Sequence, residues 1–300
     1  DLHSFPTRRS SDLEIMVMIQ KDQSRYATAL NYMKSIISSG KFGLVDDFAG
    51  IWLESGEWSK ESIFEINYYC QNSPRSWSNI LAAGGTVTPR LCGPRDFTPN
   101  ADCNIEAGWG FAALPKHVAT LFSPEDKRGP VTIFDMEANG TVTPGGGGWQ
   151  YTGYMLGKYM PHKGDNVGHN GDGDVNFNNN ERVYRYAETL LNAAELLLQT
   201  GGSASEAAGY VNQVRQRAGL SNLNDVTIDD IINERRLEFL GEGKRYYDLV
   251  RTGKAASVLT AANDEGGYRK ADWNENYRYL PIPQSDIDAT GGTMEQNGSY

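Results

Sequence analysis

Apolar residues recur at helical spacing near both ends of this 300-residue chain and lose that period in the middle. From Ser24 to Ser39, Ala27, Leu30, Met33 and Ile37 fall on one face of a helix, and Gly40 marks its end. A longer stripe, Val183, Ala187, Leu190, Leu191, Ala194, Leu197 and Leu198, predicts a helix over Arg182–Thr200. Gly201 and Gly202 break it, and Ser203–Ala218 follows with Ala207, Tyr210, Val211 and Val214 on one side. These two helices are expected to pack antiparallel, each fully buried Leu or Val contributing about 1.5–3 kcal/mol. Thr227 can cap a further helix through Ile228, Ile231, Ile232 and Phe239, which Gly241 and Gly243 end. A short Tyr246–Arg251 segment comes next, stopped by Gly253.

Arg185-Tyr186-Ala187-x-x-Leu190 echoes Arg25-Tyr26-Ala27-x-x-Leu30, an internal repeat of the kind that builds tetratricopeptide helix pairs. Between the helical ends, residues 70–180 are rich in glycine, proline, asparagine and aromatics, with Gly145–Gly148 and the polar tract Gly168–Asn180. Ser62–Ile66 reads as a short strand leading into this region. The expected fold is therefore mainly α: a tetratricopeptide-like helical scaffold carrying a large irregular loop subdomain. Its parts are a helical stretch with the lead-in strand (14–69), a loop-rich ligand-binding region (70–180) and a C-terminal helical region (181–300). Near the end, Tyr279-Leu280-Pro281-Ile282-Pro283 must be extended, with Leu280 and Ile282 free to pack on the scaffold.

A net charge of −10 and a pI near 5.0 argue against nucleic acid, which needs a basic stripe that this chain lacks. Cys70, Cys92 and Cys103 have no metal-ligand spacing, so zinc is not expected; Cys92 and Cys103 either bridge or remain thiols. Around Asn233–Gly253, Glu234, Glu238, Glu242 and Asp248 alternate with Arg235, Arg236, Arg245 and Arg251. That density predicts ion pairs between packed helices, with Arg235, Arg236 and Arg245 as structural partners of carboxylates.

Chemistry is expected in the loops. A sugar ring stacks on an indole or phenol while its hydroxyls meet planar amides and carboxylates. Trp109, set between Gly108 and Gly110, is the first candidate for such stacking, with Trp77, Trp149 and Tyr151 as neighbours. The other reading makes Trp109 the plug of a local mini-core. Trp52, Trp58 and Trp273 are assigned to packing. Asn170-x-Asp172-x-Asp174 with Glu181 imitates part of a calcium loop, but Val175 stands where the turn needs glycine. A solvated Asx-rich loop is the competing reading, and no cofactor is assigned. His117, His162 and His169 have no nucleophile elbow or zinc motif beside them. The densest carboxylates are interleaved with arginines that would hold them ionised, so no enzyme is expected.

The run Asn233–Gly253, reading N-E-R-R-L-E-F-L-G-E-G-K-R-Y-Y-D-L-V-R-T-G, resembles the signature of the SusD/RagB family. Arg182–Gly201 and Tyr279–Asp288 resemble two further family segments, and Gln296–Tyr300 resembles its C-terminal close, with Ser299 and Asp286 departing from it. Ser62–Ile66 and the Gly108–Lys116 stretch also resemble family segments. The resemblance implies a surface lipoprotein that binds extracellular glycan without hydrolysing it. It would sit on the extracellular face of the outer membrane and hand its ligand to a SusC-like TonB-dependent transporter. Peptide or other nutrient capture is the alternative within the family; an intracellular helical-repeat scaffold and a glycoside hydrolase are rivals from other classes. Residues 1–13 resemble a translated sequencing-library adapter and are set aside. A signal peptide, a lipid-bearing cysteine and further helices are then expected to belong to a missing N-terminal part.

Overall fold

The computed structural model describes residues 22–71, 74–146, 148 and 151–297; the expected artefact at 1–13 lies outside them. The Asp22 carboxylate caps a 3₁₀ turn over Gln23–Arg25, which feeds helix α1 (Tyr26–Ser38). Its buried face is Tyr26, Ala29, Leu30, Met33 and Ile36, rotated from the expected one, and Ala27 is exposed. The reason is area: turning the Tyr26 ring inward removes more apolar surface from water than the Ala27 methyl would. Gly40, with φ +63°, ends the helix in the left-handed conformation open to glycine.

Strand β1 (Ser62–Ile66) follows, then the short helix α2 (Thr88–Cys92). Four small strands come next: β2 (Phe97–Pro99), β3 (Ile133–Asp135), β4 (Gly140–Val142) and β5 (Tyr154–Leu156). β2 pairs antiparallel with β4, and β3 with β5, so the glycine-rich middle is tied by two small ribbons. Phe97, Ile105, Met136, Met155 and Met160 form a core of their own there, and Phe48, Ile51, Trp52 and Tyr159 form another. Cys103 packs against the first and Cys92 against the second, and both thiols are free, so the bridge between them is not formed. Burial pushes the Cys92 thiol up to about 12.

The expected helix from Arg182 is corrected by β6 (Glu181–Arg185), which pairs antiparallel with β1 in the register Phe64↔Tyr184 and Glu65↔Arg182. Arg182, Val183 and Tyr184 satisfy a period of two as well as one of 3.6, and pairing with β1 decides between them. Helix α3 (Tyr186–Gln199) then begins directly after the strand and is buried on nearly every side. Gly201, with φ +78°, turns the chain into α4 (Ala204–Arg217), capped by the Ser203 hydroxyl on the Glu206 N–H. Helix α5 (Ile228–Glu238) starts with a full capping box, Thr227 and Asp230 each accepting the other's main-chain N–H. Helices α1, α4 and α5 all pack on α3, joining Leu190, Leu191, Ala194, Val211, Val214 and Ile231 in one core. This is the expected tetratricopeptide-like arrangement.

Beside that core lies a buried ionic cluster. Arg185 places Nη1 at 2.6 Å from Glu61 and 2.9 Å from Glu238, and Nη2 at 2.8 Å from Glu242. Arg217 bridges Glu61 (3.0 Å) and Glu238, while Arg128 bridges Asp126 (2.7 Å), Glu234 (2.7 Å) and Glu238 (3.2 Å). Lys158 meets Glu242 at 2.7 Å and lies 4.6 Å from the centre of the Trp52 ring. Burial alone would raise the Glu238 carboxyl, but Arg217, Arg185 and Arg128 hold it well below the usual carboxylate range. Burial pulls the Lys158 ammonium down to about 8 against the attraction of Glu242. Of the three arginines expected in this role, Arg235 pairs with Glu188 (3.3 Å) and Asn192 of α3, and Arg236 is half-buried. The hub is Arg185 instead.

The chain divides into two compact units after Arg245. The boundary falls at the first residue of helix α6 (Arg245–Arg251), and in the second unit Arg251 pairs with Asp248 at 2.7 Å. The Gln296 side chain clamps Ile282 through both main-chain groups (2.8 and 2.9 Å), and Leu280 is exposed.

Candidate functional site

Trp109 is held through the main chain on both sides. The segment 108–111 donates four hydrogen bonds to α2 and the turn after it: Gly108 to Pro94, Trp109 to Arg90, Gly110 to Gly93 and Phe111 to Leu91, at 2.7–3.0 Å. Gly108 has to be glycine, since a β-carbon there would stand 2.6 Å from both the Arg90 carbonyl oxygen and Gly93 Cα. Gly110 has φ +75°, so the pair of glycines exists to bring this loop against α2. Arg90 secures the same junction from its side chain, donating to the Ala107 carbonyl and pairing with Asp174 (3.0 Å) and Glu106 (3.5 Å). Its guanidinium lies 5.1 Å from the centre of the Phe177 ring.

A second loop, 74–86, is zipped to residues 170–177. Asn176 Nδ2 donates to the Arg75 and Asp172 carbonyls (2.7 and 2.8 Å), and Thr86 and Phe177 exchange both main-chain bonds (2.8 and 3.0 Å). The Trp77 main-chain N–H donates to Asp172 Oδ2 at 2.9 Å, and the residue is 57% exposed. Its ring centre lies 5.5 Å from that of Trp109, the planes tilted by 33°. Trp109 is half-buried behind it, so the more accessible face belongs to Trp77 and not to Trp109 as expected. Phe111, two residues beyond Trp109, is 67% exposed. Two indoles, one open to solvent, on loops fixed by main-chain hydrogen bonds make a rigid aromatic platform.

Of the remaining sequence candidates, the Tyr151 hydroxyl donates to Glu137 Oε1 at 3.3 Å. Trp149 lies outside the described residues. Asp172 and Asp174 are engaged by the Trp77 N–H and by Arg90, so both hold up the platform. Among the described residues no three metal-ligating side chains gather. Trp52 is buried and Trp273 half-buried, as expected, whereas Trp58 is exposed, against its assignment to packing. Asp172 and Arg90 are the positioning residues that sequence reasoning missed, although the alternating acids at 170–174 were their visible signal.

A family model described as SusD_RagB, the SusD family, matches residues 95–300. SusD-like protein P2 of Formosa agariphila is 29% identical over 262 residues, covering 80% of this chain and 48% of its own length. The solved structure of surface glycan-binding protein A from Bacteroides thetaiotaomicron is 44% identical with a TM-score of 0.89, over 98% of this chain and 63% of that one. The same protein in complex with laminarihexaose is 45% identical with a TM-score of 0.87, over 95% of this chain and 62% of that one. This chain thus spans about half the length of that curated relative and less than two-thirds of those solved chains.

Proposed function

Since this chain belongs to the SusD family, we propose that it binds extracellular glycan on the Trp77–Trp109 platform, without cleaving it. The observation that carries the reading is the indole pair at 5.5 Å with Trp77 open to solvent. An aromatic face matches the C–H face of a pyranose, and its burial against the sugar supplies affinity that hydroxyl contacts alone do not. Binding of laminarihexaose by a similar protein supports the same ligand class. Non-catalytic action is supported by the state of the carboxylates: Glu61, Glu234, Glu238 and Glu242 are buried against arginine and lysine, and Glu238 is held ionised. A general acid needs the opposite environment.

By the family's likeness, the whole protein resides on the extracellular face of the outer membrane, held by a lipid anchor, and passes glycan to a SusC-like TonB-dependent transporter. No helix among the described residues is long and apolar enough to cross a membrane. The test is a screen of neutral oligosaccharides, laminarihexaose included, beside a set of short peptides. Saturable binding of one glycan class is the expected result. Binding of peptides alone would overturn the reading in favour of another nutrient.

A further inference from the structure

Trp58 occupies a position that suits its residue type badly on two counts. Its φ is +55°, a left-handed backbone that penalises any residue with a bulky side chain and that glycine and asparagine accept. The residue is 62% exposed, so burial returns little for that penalty. Nothing about the turn is slack. Gly56 lies so close to the Gly50 carbonyl that a β-carbon would collide with it, and its N–H donates to Leu53 at 3.0 Å. The Glu57 N–H donates to Glu54 at 3.1 Å. The Trp58 N–H points at both carboxylate oxygens of Glu65, at 3.3 and 3.4 Å. Glu65 is itself buried and receives Asn180 Nδ2 at 3.0 Å.

The same device presents Trp77: a distant carboxylate takes the main-chain N–H and the indole is left outside. The sequence neighbours of Trp58, Glu54, Ser55 and Lys60, are exposed as well. An exposed indole presented by the same device as Trp77 suits the same ligand, since its face matches the C–H face of a sugar ring. The two anchors lie on one ribbon. Beyond Glu65, the Tyr68 and Cys70 N–H groups donate to the Asn180 and Asn178 side chains (2.9 and 2.8 Å), and Asn170 N–H donates to the Cys70 carbonyl (2.9 Å), two residues before Asp172. At about 3.3 Å per residue when extended, Glu65 to Cys70 can cover at most roughly 16 Å.

We propose that Trp58 is a second aromatic subsite for glycan, separate from the Trp77–Trp109 pair and engaged by chains long enough to reach both. The proposal rests on the glycan reading given above. A chain held at two points gains from effective concentration at the second, so the subsite is felt by polysaccharide and hardly by a short oligomer. Strain at a functional position has a further signature: relieving it stabilises the fold while removing the function.

The experiment compares the parent with Trp58→Asn and Trp58→Ala by thermal melting and by titration with laminarihexaose and with laminarin polysaccharide. Trp58→Asn should melt at or above the parent temperature, keep hexaose affinity within about twofold, and lose at least about fivefold in polysaccharide affinity. Trp58→Ala should lose the same polysaccharide affinity. Polysaccharide affinity equal to the parent's in both variants overturns this inference and leaves the glycan reading standing. A lowered melting temperature with both affinities falling together also overturns it, since Trp58 would then be structural. A parent that binds neither glucan would contradict the glycan reading for this sugar class and this inference with it.

Discussion

Arg185→Ala should lower unfolding free energy by about 3–5 kcal/mol, the loss expected when one partner of a buried ion pair is removed. Arg185 is fully buried, and its guanidinium reaches Glu61, Glu238 and Glu242 within 2.6–2.9 Å. Without it Glu242 keeps Lys158, while Glu61 must share Arg217 with Glu238. Carboxylates stranded in that interior cannot recover their hydration. The side chain also fills space between aromatic rings, 5.4 Å from the centre of Trp52 and 5.2 Å from that of Phe239, so a void adds to the loss. Against a total stability of about 5–15 kcal/mol typical of a domain, the effect is severe. Urea unfolding followed by circular dichroism measures it. A change under about 1 kcal/mol, the value of an exposed pair, would show that the cluster is hydrated.

Leu191→Ala should cost about 2–5 kcal/mol. Leu191 is fully buried in α3, the helix on which α1, α4 and α5 all pack. Neighbours on every side are themselves anchored in helices, so the cavity cannot collapse cheaply. Because the tryptophan platform has its own supports in α2 and residues 170–177, glycan affinity at a temperature where the variant is folded should match the parent's. A melt within error of the parent would mean that the stripe is not core.

The helices were legible because their signals are local. Thr227 with Asp230, Ser203 before α4, and glycines of positive φ at 40, 201, 241 and 253 lie within a turn of the helix ends they mark. The role of Arg185 was not legible, since its partners lie 124, 53 and 57 residues away. The acid-and-arginine run after Asn233 pointed to buried pairing, but it named the side chains nearest in sequence, not those nearest in space. The tryptophans divide the same way. Trp77 and Trp109 were picked out by residue type and loop context, yet their contact depends on two loops docked on α2 and on residues 170–177. Trp58 was misassigned because a residue's type does not report its φ. Its exposure follows from Gly56 fitting under Gly50 and from the Glu65 carboxylate, neither of which leaves a periodic trace.

The most direct test of the glycan-binding account is calorimetric titration of Trp109→Ala against the preferred glycan, beside a thermal melt. Removing the inner indole takes away the support against which Trp77 rests and one of the two stacking faces. A stacked aromatic at the centre of a binding face carries more than about 1 kcal/mol, so affinity should fall about fivefold or more. The melting temperature should stay close to the parent's, because Trp109 lies outside the helical core. Unchanged affinity with a lowered melting temperature would contradict the account and make Trp109 the plug of a local mini-core.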